Sequence, residues 1–214
     1  MRRWIRRSND YDWVADQLER RGIRDPEVLR AMRTVRRELF VPLDVRHLAY
    51  EDGAMPIGHG QTISQPYIVA RMTEALLQGG APRKVLEVGT GCGYQTAILA
   101  PLVKTVYSIE RIATLFERAR TRLRELDLHN VHLRHGDGFQ GWVAHAPFDA
   151  ILLTAAPLAL PEALLEQLAP GGRLIAPVGP EGQQELIRVT RRADELHTET
   201  LGLVSFVPLL KGLS

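Results

Sequence analysis

Apolar residues follow two different rhythms along this chain. From Tyr11 to Val41 they recur every three or four positions, the spacing of one helix face. Val14, Leu18 and Arg21 share such a face in a first helix that ends at Gly22. Asp25-Pro26 then starts a second helix, with aspartate as cap and proline at the first helical position, where its missing N–H removes no bond. Val28, Leu29, Met32 and Val35 supply that helix with its apolar face, and Pro42 closes the segment. Residues 50–66 hold no regular period and are rich in glycine and proline, which predicts a long loop. Helical spacing resumes from Tyr67 to Leu77 through Ile68, Met72, Ala75 and Leu76.

From residue 84 short apolar runs alternate with helical stretches. Strands are expected at 84–88, 105–109, 131–135, 148–153 and 172–178, and helices at 94–101, 111–127 and 161–168. This order predicts an α/β fold, a doubly wound and mostly parallel seven-stranded sheet covered on both faces. The last two strand-like runs, 185–190 and 200–209, are joined by a polar turn with no crossover helix, so they must pair antiparallel. A single domain of 214 residues results. It is divided into an N-terminal helical extension (1–48), a loop (49–66), an α/β core (67–182) and C-terminal antiparallel strands (183–214).

Charge adds little to this picture. The formal net charge of +2 points to neither nucleic acid nor membrane as partner. Arg2, Arg3, Arg6 and Arg7 form a local basic start, best read as a solvated terminus. The single cysteine, Cys92, excludes an internal disulfide and fits a reducing compartment. The first residues lack the apolar stretch of a secretory signal and no run is long enough to cross a bilayer, so a cytoplasmic protein is expected. A monomer is the accompanying expectation.

The richest chemistry lies in Glu87-Val88-Gly89-Thr90-Gly91-Cys92-Gly93-Tyr94, where the first strand of the α/β part meets its helix. Ligands of open α/β sheets bind beyond the carboxyl ends of the strands, and glycines there let backbone amides approach closely. A dinucleotide fingerprint would need glycine at 94, and a phosphate-binding Walker loop would need Gly-Lys-Ser/Thr. Neither is present. The acid followed by Gly89, Gly91 and Gly93 resembles the E-x-G-x-G-x-G loop of S-adenosylmethionine-dependent methyltransferases. Glu110, about 20 residues on at the next strand end, stands where an acid accepts hydrogen bonds from ribose hydroxyls. Asp137-Gly138 follows the third strand, where such enzymes often set an acid against the adenine amino group.

A closer resemblance runs over roughly residues 15–210. The stretch AYEDGAMPIGHGQTISQPYIVARMTEAL (49–76) is similar to the signature of protein-L-isoaspartate O-methyltransferases. VLEVGTGCGYQTAILA (85–100), VYSIER (106–111), GDG (136–138), APFDAILLTAA (146–156), PGGRLIAPVG (170–179) and FVPL (206–209) follow in that family's order. The resemblance implies S-adenosyl-L-methionine as cofactor, S-adenosyl-L-homocysteine as product, and Ser64 as the active-site residue holding an isoaspartyl carboxylate. Thr62, Ile63, Glu87, Gly89, Thr90, Gly91, Gly93, Glu110, Arg111, Asp137 and Gly138 would surround the cofactor. Val207 and Pro208, with Leu209, would lie beside an extended isoaspartyl-containing peptide, held through main-chain bonds. The implied reaction is methyl esterification of the isoaspartyl α-carboxylate, after which the ester cyclises to a succinimide that opens partly to aspartate. Two positions depart from the family: Cys92 where serine is frequent, and Leu210 where some members carry a polar group.

Other readings remain at this level. Ser64 also stands where a helix cap would. A carboxylate acceptor is ionised at neutral pH and needs no general base, and His59 is the only obvious base in the 50–66 stretch. An RNA or small-molecule methyltransferase of the same fold, or a cofactor- or peptide-binding module without turnover, would share the glycine loop. His129, His132 and His135 do not share a strand face at ligand spacing, so no metal site is expected.

Overall fold

A computed structural model describes residues 12–193 and 195–214. The basic start at Arg2, Arg3, Arg6 and Arg7, and the first residue of the predicted opening helix, lie outside the described residues. That helix runs on as a wide π-helical turn over Ala15–Glu19 and buries Trp13, Val14 and Leu18. Arg21 leaves the buried face, stacking its guanidinium 3.7 Å from the Tyr67 ring centre and pairing with Asp52. Helix α1 (Pro26–Thr34) starts as its sequence dictates: the Asp25 carboxylate accepts from Glu27 N and Val28 N, a cap that contributes about 1 kcal/mol.

The expected loop at 50–66 is partly a hairpin. Strands β1 (Met55–Gly58) and β2 (Gln61–Ile63) pair antiparallel, burying Met55, Ile57 and Ile63 while Pro56, Gly58 and Thr62 face out. The turn needs left-handed backbone at Gly58, His59 and Gly60, with φ of 94°, 54° and 68°. The glycines that made the stretch look irregular are what the turn requires.

After helix α2 (Pro66–Leu77) comes the sheet: β3 (Lys84–Val88), β4 (Thr105–Glu110), β5 (Val131–His135), β6 (Phe148–Leu153), β7 (Leu168–Val178), β8 (Gln184–Arg192) and β9 (Glu195–Val204). Helices α3 (Tyr94–Leu99), α4 (Ala113–Glu125) and the short α5 (Glu162–Glu166) lie between them. The spatial order is β5-β4-β3-β6-β7-β8-β9, parallel through β7 and antiparallel for the last two strands. Along β3, Val85 enters one apolar cluster with Met72, Leu76 and Leu152, and Leu86 and Val88 enter another with Ile151 and Leu153. Two buried faces explain why the strands read as unbroken apolar runs.

The order in which strands are added across the sheet reverses between the parallel neighbours β3 and β6, and this switch point opens the crevice that holds the site. Three boundaries differ clearly from expectation: β7 begins at Leu168 rather than 172, β9 begins at Glu195 rather than 200, and β9 stops short of 209. β9 ends at Val204, and residues 205–209 continue as extended chain that leaves the sheet edge for this crevice. There Ala156 N donates to Val207 O and Leu209 N to Ala156 O.

Candidate active site

The end of β3 turns on glycines in backbone conformations that L side chains avoid: φ is +100° at Gly89, +55° at Gly91 and +89° at Gly93. Space is as decisive as angle at Gly89, where a Cβ would sit 2.3 Å from Thr154 Oγ1. The Thr154 hydroxyl, on the first residue after β6, lies 2.5 Å from Gly89 O and 3.1 Å from Val88 O. Gly89 N and Thr90 N both donate to Ile109 O, fastening the turn to β4. At the end of β4 the Glu110 carboxylate accepts from Gly91 N at 2.7 Å and Ile112 N at 2.9 Å. All of these except Gly93 line a cavity whose walls also include Thr62, Ile63, Ser64, Arg111, Gly138 and Val207-Pro208.

Like Gly93, two expected cofactor acids stand behind that wall. Glu87 is 0% exposed, accepts from Thr96 Oγ1 and Ser108 Oγ at 2.5 Å each, and does not reach the cavity. Burial pushes its carboxyl up to about 7, against the lowering effect of those two bonds and with Glu110 adding to the rise. Asp137 does not line the cavity either. Its Oδ1 accepts from Phe139 N and its Oδ2 from Gly212 N, so it caps a short turn and ties down the C-terminal segment. Gly138 is at the wall, and a Cβ there would come within 2.4 Å of Val88 Cγ1. Arg111 lines the cavity while its Nε donates to Gly212 O and its own carbonyl accepts from Ser214 N. The last residues of the chain are thus sewn along the edge of the site.

A second cavity adjoins the first. Its wall comes from Asp52–Ala54, Gln65, Ile68 and residues 203–207, and it shares Thr62, Ser64, Thr154 and Val207 with the first. Ser64 therefore stands at a junction. The cap of α2 is Gln65 and no side chain makes a capping bond, so helix capping does not account for Ser64. Pro208 pairs with Ala156 as an isolated parallel bridge, which brings Val207-Pro208-Leu209 across the crevice. Gln184 holds the preceding residue in place, with Nε2 donating to Phe206 O at 3.0 Å and Oε1 accepting from Phe206 N at 2.6 Å.

Sequence reading missed Thr154, Ser108, Thr96 and Gln184. Thr154 had a signal, as the first residue beyond a strand at the switch point. The others are polar residues within apolar runs, whose role depends on what they meet across the sheet. The histidines are dispersed: His132 stacks on Tyr107, His135 Nε2 is 3.0 Å from Arg111 O, and His129 is 2.9 Å from Asp127 Oδ1. Among the described residues no group of three or more potential ligands could hold a metal ion.

Known proteins resemble this chain over nearly its whole length. The sequence model of the protein-L-isoaspartate(D-aspartate) O-methyltransferase family matches residues 9–214. A protein-L-isoaspartate O-methyltransferase of Halorhodospira halophila is 59% identical over 201 residues, covering 94% of this chain and 91% of its own. One from Cronobacter sakazakii is 57% identical over 205 residues, covering 96% of this chain and 98% of its own. Among solved structures, a putative protein-L-isoaspartate O-methyltransferase of Plasmodium falciparum in complex with S-adenosyl-L-homocysteine is 28% identical. It superposes with a TM-score of 0.78 over 96% of this chain and 100% of its own. The crevice at the switch point, its glycine turn and acids, and near full-length likeness to these enzymes place the chain in the protein-L-isoaspartate(D-aspartate) O-methyltransferase family.

Proposed function

We infer that this chain transfers a methyl group from S-adenosylmethionine to the free α-carboxylate of L-isoaspartyl residues in proteins and peptides, initiating their repair. The observation that carries this reading is the meeting of two cavities at Ser64, one fitted to the cofactor and one open toward residues 203–207.

The first cavity fits the cofactor. Each Glu110 oxygen accepts one backbone N–H and keeps a lone pair for a ribose hydroxyl. Val88, Ile109, Ile112 and Leu209 give apolar surface for a flat base, and the bare backbone at Gly89 and Gly91 admits the amino-acid portion. The bound cofactor supplies a methyl group already activated on a sulfonium. Thr62, Ile63, Ser64, Glu110, Arg111 and Gly138 remain as its neighbours in this reading. Glu87 and Asp137 support the wall from outside it.

On the acceptor side, Ser64 Oγ donates to one oxygen of the isoaspartyl carboxylate and leaves the other free to face the methyl group. Alignment is the main task of the site, because an ionised carboxylate is already a nucleophile and needs no proton removed. His59 sits at the β1–β2 turn and lines neither cavity. Residues 203–207 offer main chain to an extended peptide, a mode that tolerates varied side chains. Gln184 and Ala156 keep this segment rigid without using its side chains. The single cysteine, Cys92, is buried and free, which supports action in a reducing compartment such as the cytoplasm. Among the described residues no helix is long and apolar enough to cross a membrane.

Incubation with methyl-labelled cofactor, an isoaspartyl peptide and its aspartyl twin tests this reading. Label should enter the isoaspartyl peptide in large excess. Equal labelling of both, or labelling of RNA and of neither peptide, contradicts it.

A further inference from the structure

Behind the glycine turn lies a chain of buried hydrogen bonds that ends at Glu87. Ser108 Oγ is 2.5 Å from Glu87 Oε2 and 2.6 Å from Thr90 Oγ1. When Glu87 is ionised, Ser108 gives its one hydroxyl proton to the carboxylate and Thr90 donates to Ser108. Thr96, on α3, donates to the same Glu87 oxygen. The bonds thus run from Thr90 at the cavity wall, through Ser108 on β4, to Glu87 on β3, with α3 held from the other side. Glu87 Oε1 has no hydrogen-bond partner, although the residue is 0% exposed. A buried carboxylate with an unpaired oxygen is a costly choice for a purely structural position, where a neutral side chain would serve.

We propose that Glu87 is a positioning residue for cofactor binding, which sets Thr90 and the glycine turn through Ser108 and responds to the charge of the bound cofactor. This goes beyond the activity inferred above and rests on its cofactor assignment.

The groups facing Glu87 fix the sign of that response. Thr96 from α3 and Ser108 from β4 are neutral, its partner on β6 is Leu152, and Glu110 on β4 is an acid that disfavours a second negative charge. None of these neighbours is a cation, and burial pushes the Glu87 carboxyl up to about 7. S-adenosylmethionine carries one net positive charge at neutral pH, and S-adenosylhomocysteine carries none because the sulfonium is lost. A positive ligand in the adjoining cavity favours ionised Glu87, so its binding releases a proton, and the neutral product releases less. Preference for the methyl donor over the product should therefore grow as pH rises through about 7, and Glu87→Gln should abolish that growth while leaving an acceptor for Ser108 and Thr96.

Calorimetric binding of S-adenosylmethionine and S-adenosylhomocysteine, from about pH 6 to about pH 8.5, tests this on the wild-type, Glu87→Gln and Ser108→Ala proteins. Thermal melts confirm that each variant is folded. For the wild type, the ratio of donor to product affinity should rise several-fold over that range; for Glu87→Gln it should stay flat. Ser108→Ala should weaken both ligands by about tenfold and keep the pH trend. A Glu87→Gln protein with the wild-type trend overturns the proposal. So does a folded Glu87→Gln protein that binds neither ligand while Ser108→Ala binds normally, since Glu87 would then be a direct ligand. Failure of the wild type to bind either ligand would instead refute the cofactor assignment, which separates the two conclusions.

Discussion

The wall of the first cavity stands on the ends of β3 and β4, inside the core, whereas that of the second is assembled from Asp52–Ala54, Thr62 of the β1–β2 hairpin, Ser64, the start of α2 and residues 203–207. On the first, side chains are buried and doubly bonded: Glu110 is 5% exposed and accepts two backbone N–H groups. On the second, Thr62, Leu203 and Ser205 are exposed, and rigidity comes from main-chain bonds such as those of Ala156 to Val207 and Leu209. The difference follows from what each side must recognise. One ligand is always the same and can be met by a fixed set of charges. In the function proposed above, the other is a stretch of a damaged protein, met through the main chain that all peptides share.

Paired glycine substitutions probe this contrast most forcefully. Gly89→Ala places a Cβ 2.3 Å from Thr154 Oγ1 at φ +100° and should destabilise the fold by about 3 kcal/mol or more. Gly60→Ala, in the hairpin turn at φ +68° with nothing within 4 Å, should cost only about 1 kcal/mol. Thermal or denaturant unfolding of both variants measures the difference, and equal losses would erase the distinction between a packed wall and an open one. Adding Thr154→Ala to Gly89→Ala should restore the part due to collision and leave the part due to φ.

Acidity gives the next largest effect. The folded protein holds the Glu87 proton up to about pH 7, while the unfolded chain releases it near the ordinary carboxylate value of 4.5. Between these values the folded state binds more protons, so raising the pH removes stability. The contribution is complete below the unfolded value and gone above about 7, a loss on the order of 3 kcal/mol. Comparing wild type with Glu87→Gln by chemical denaturation across this range should show that loss only in the wild type. Glu110→Gln comes next. It turns an amide N–H₂ toward a backbone donor and should weaken S-adenosylhomocysteine binding by about 100-fold with little change in fold. The smallest effect is expected at Asp137→Ala. Freeing Gly212 N and Phe139 N should cost about 1 kcal/mol and speed amide exchange in residues 210–214. A large loss of cofactor affinity in that variant would return Asp137 to the cavity wall.

The two walls were also unequally legible in the sequence. Strands β3 to β7 and their helices are periodic enough to read directly, and the glycines with Glu110 fall where strand ends must gather. The β1–β2 hairpin was hidden because its strands span only Met55–Gly58 and Gln61–Ile63, too short for alternation to stand out against Pro56, Gly58 and Gly60. The departure of residues 205–209 from the sheet could not be foreseen from Val204-Ser205-Phe206-Val207. It depends on Gln184 and Ala156, which lie about 20 and 50 residues away in the chain. Glu87 and Asp137 were recognisable as acids of the site, yet whether an acid faces a cavity or braces it from behind is set by neighbours across the sheet. In the sequence Ser64 fits both a cap and an active-site residue, and the cap position of α2 at Gln65 removes the first of these.

The claim on which everything else depends is that Ser64 serves the acceptor at the junction of the two cavities. Measuring kcat for an isoaspartyl peptide beside the equilibrium affinity for S-adenosylhomocysteine, in wild type and Ser64→Ala, addresses it directly. Loss of one charge-assisted hydrogen bond to the carboxylate should lower kcat by about 10- to 100-fold and leave cofactor affinity within about twofold. A Ser64→Ala protein that loses cofactor affinity in proportion to its activity, or turns over at the wild-type rate, would contradict the account.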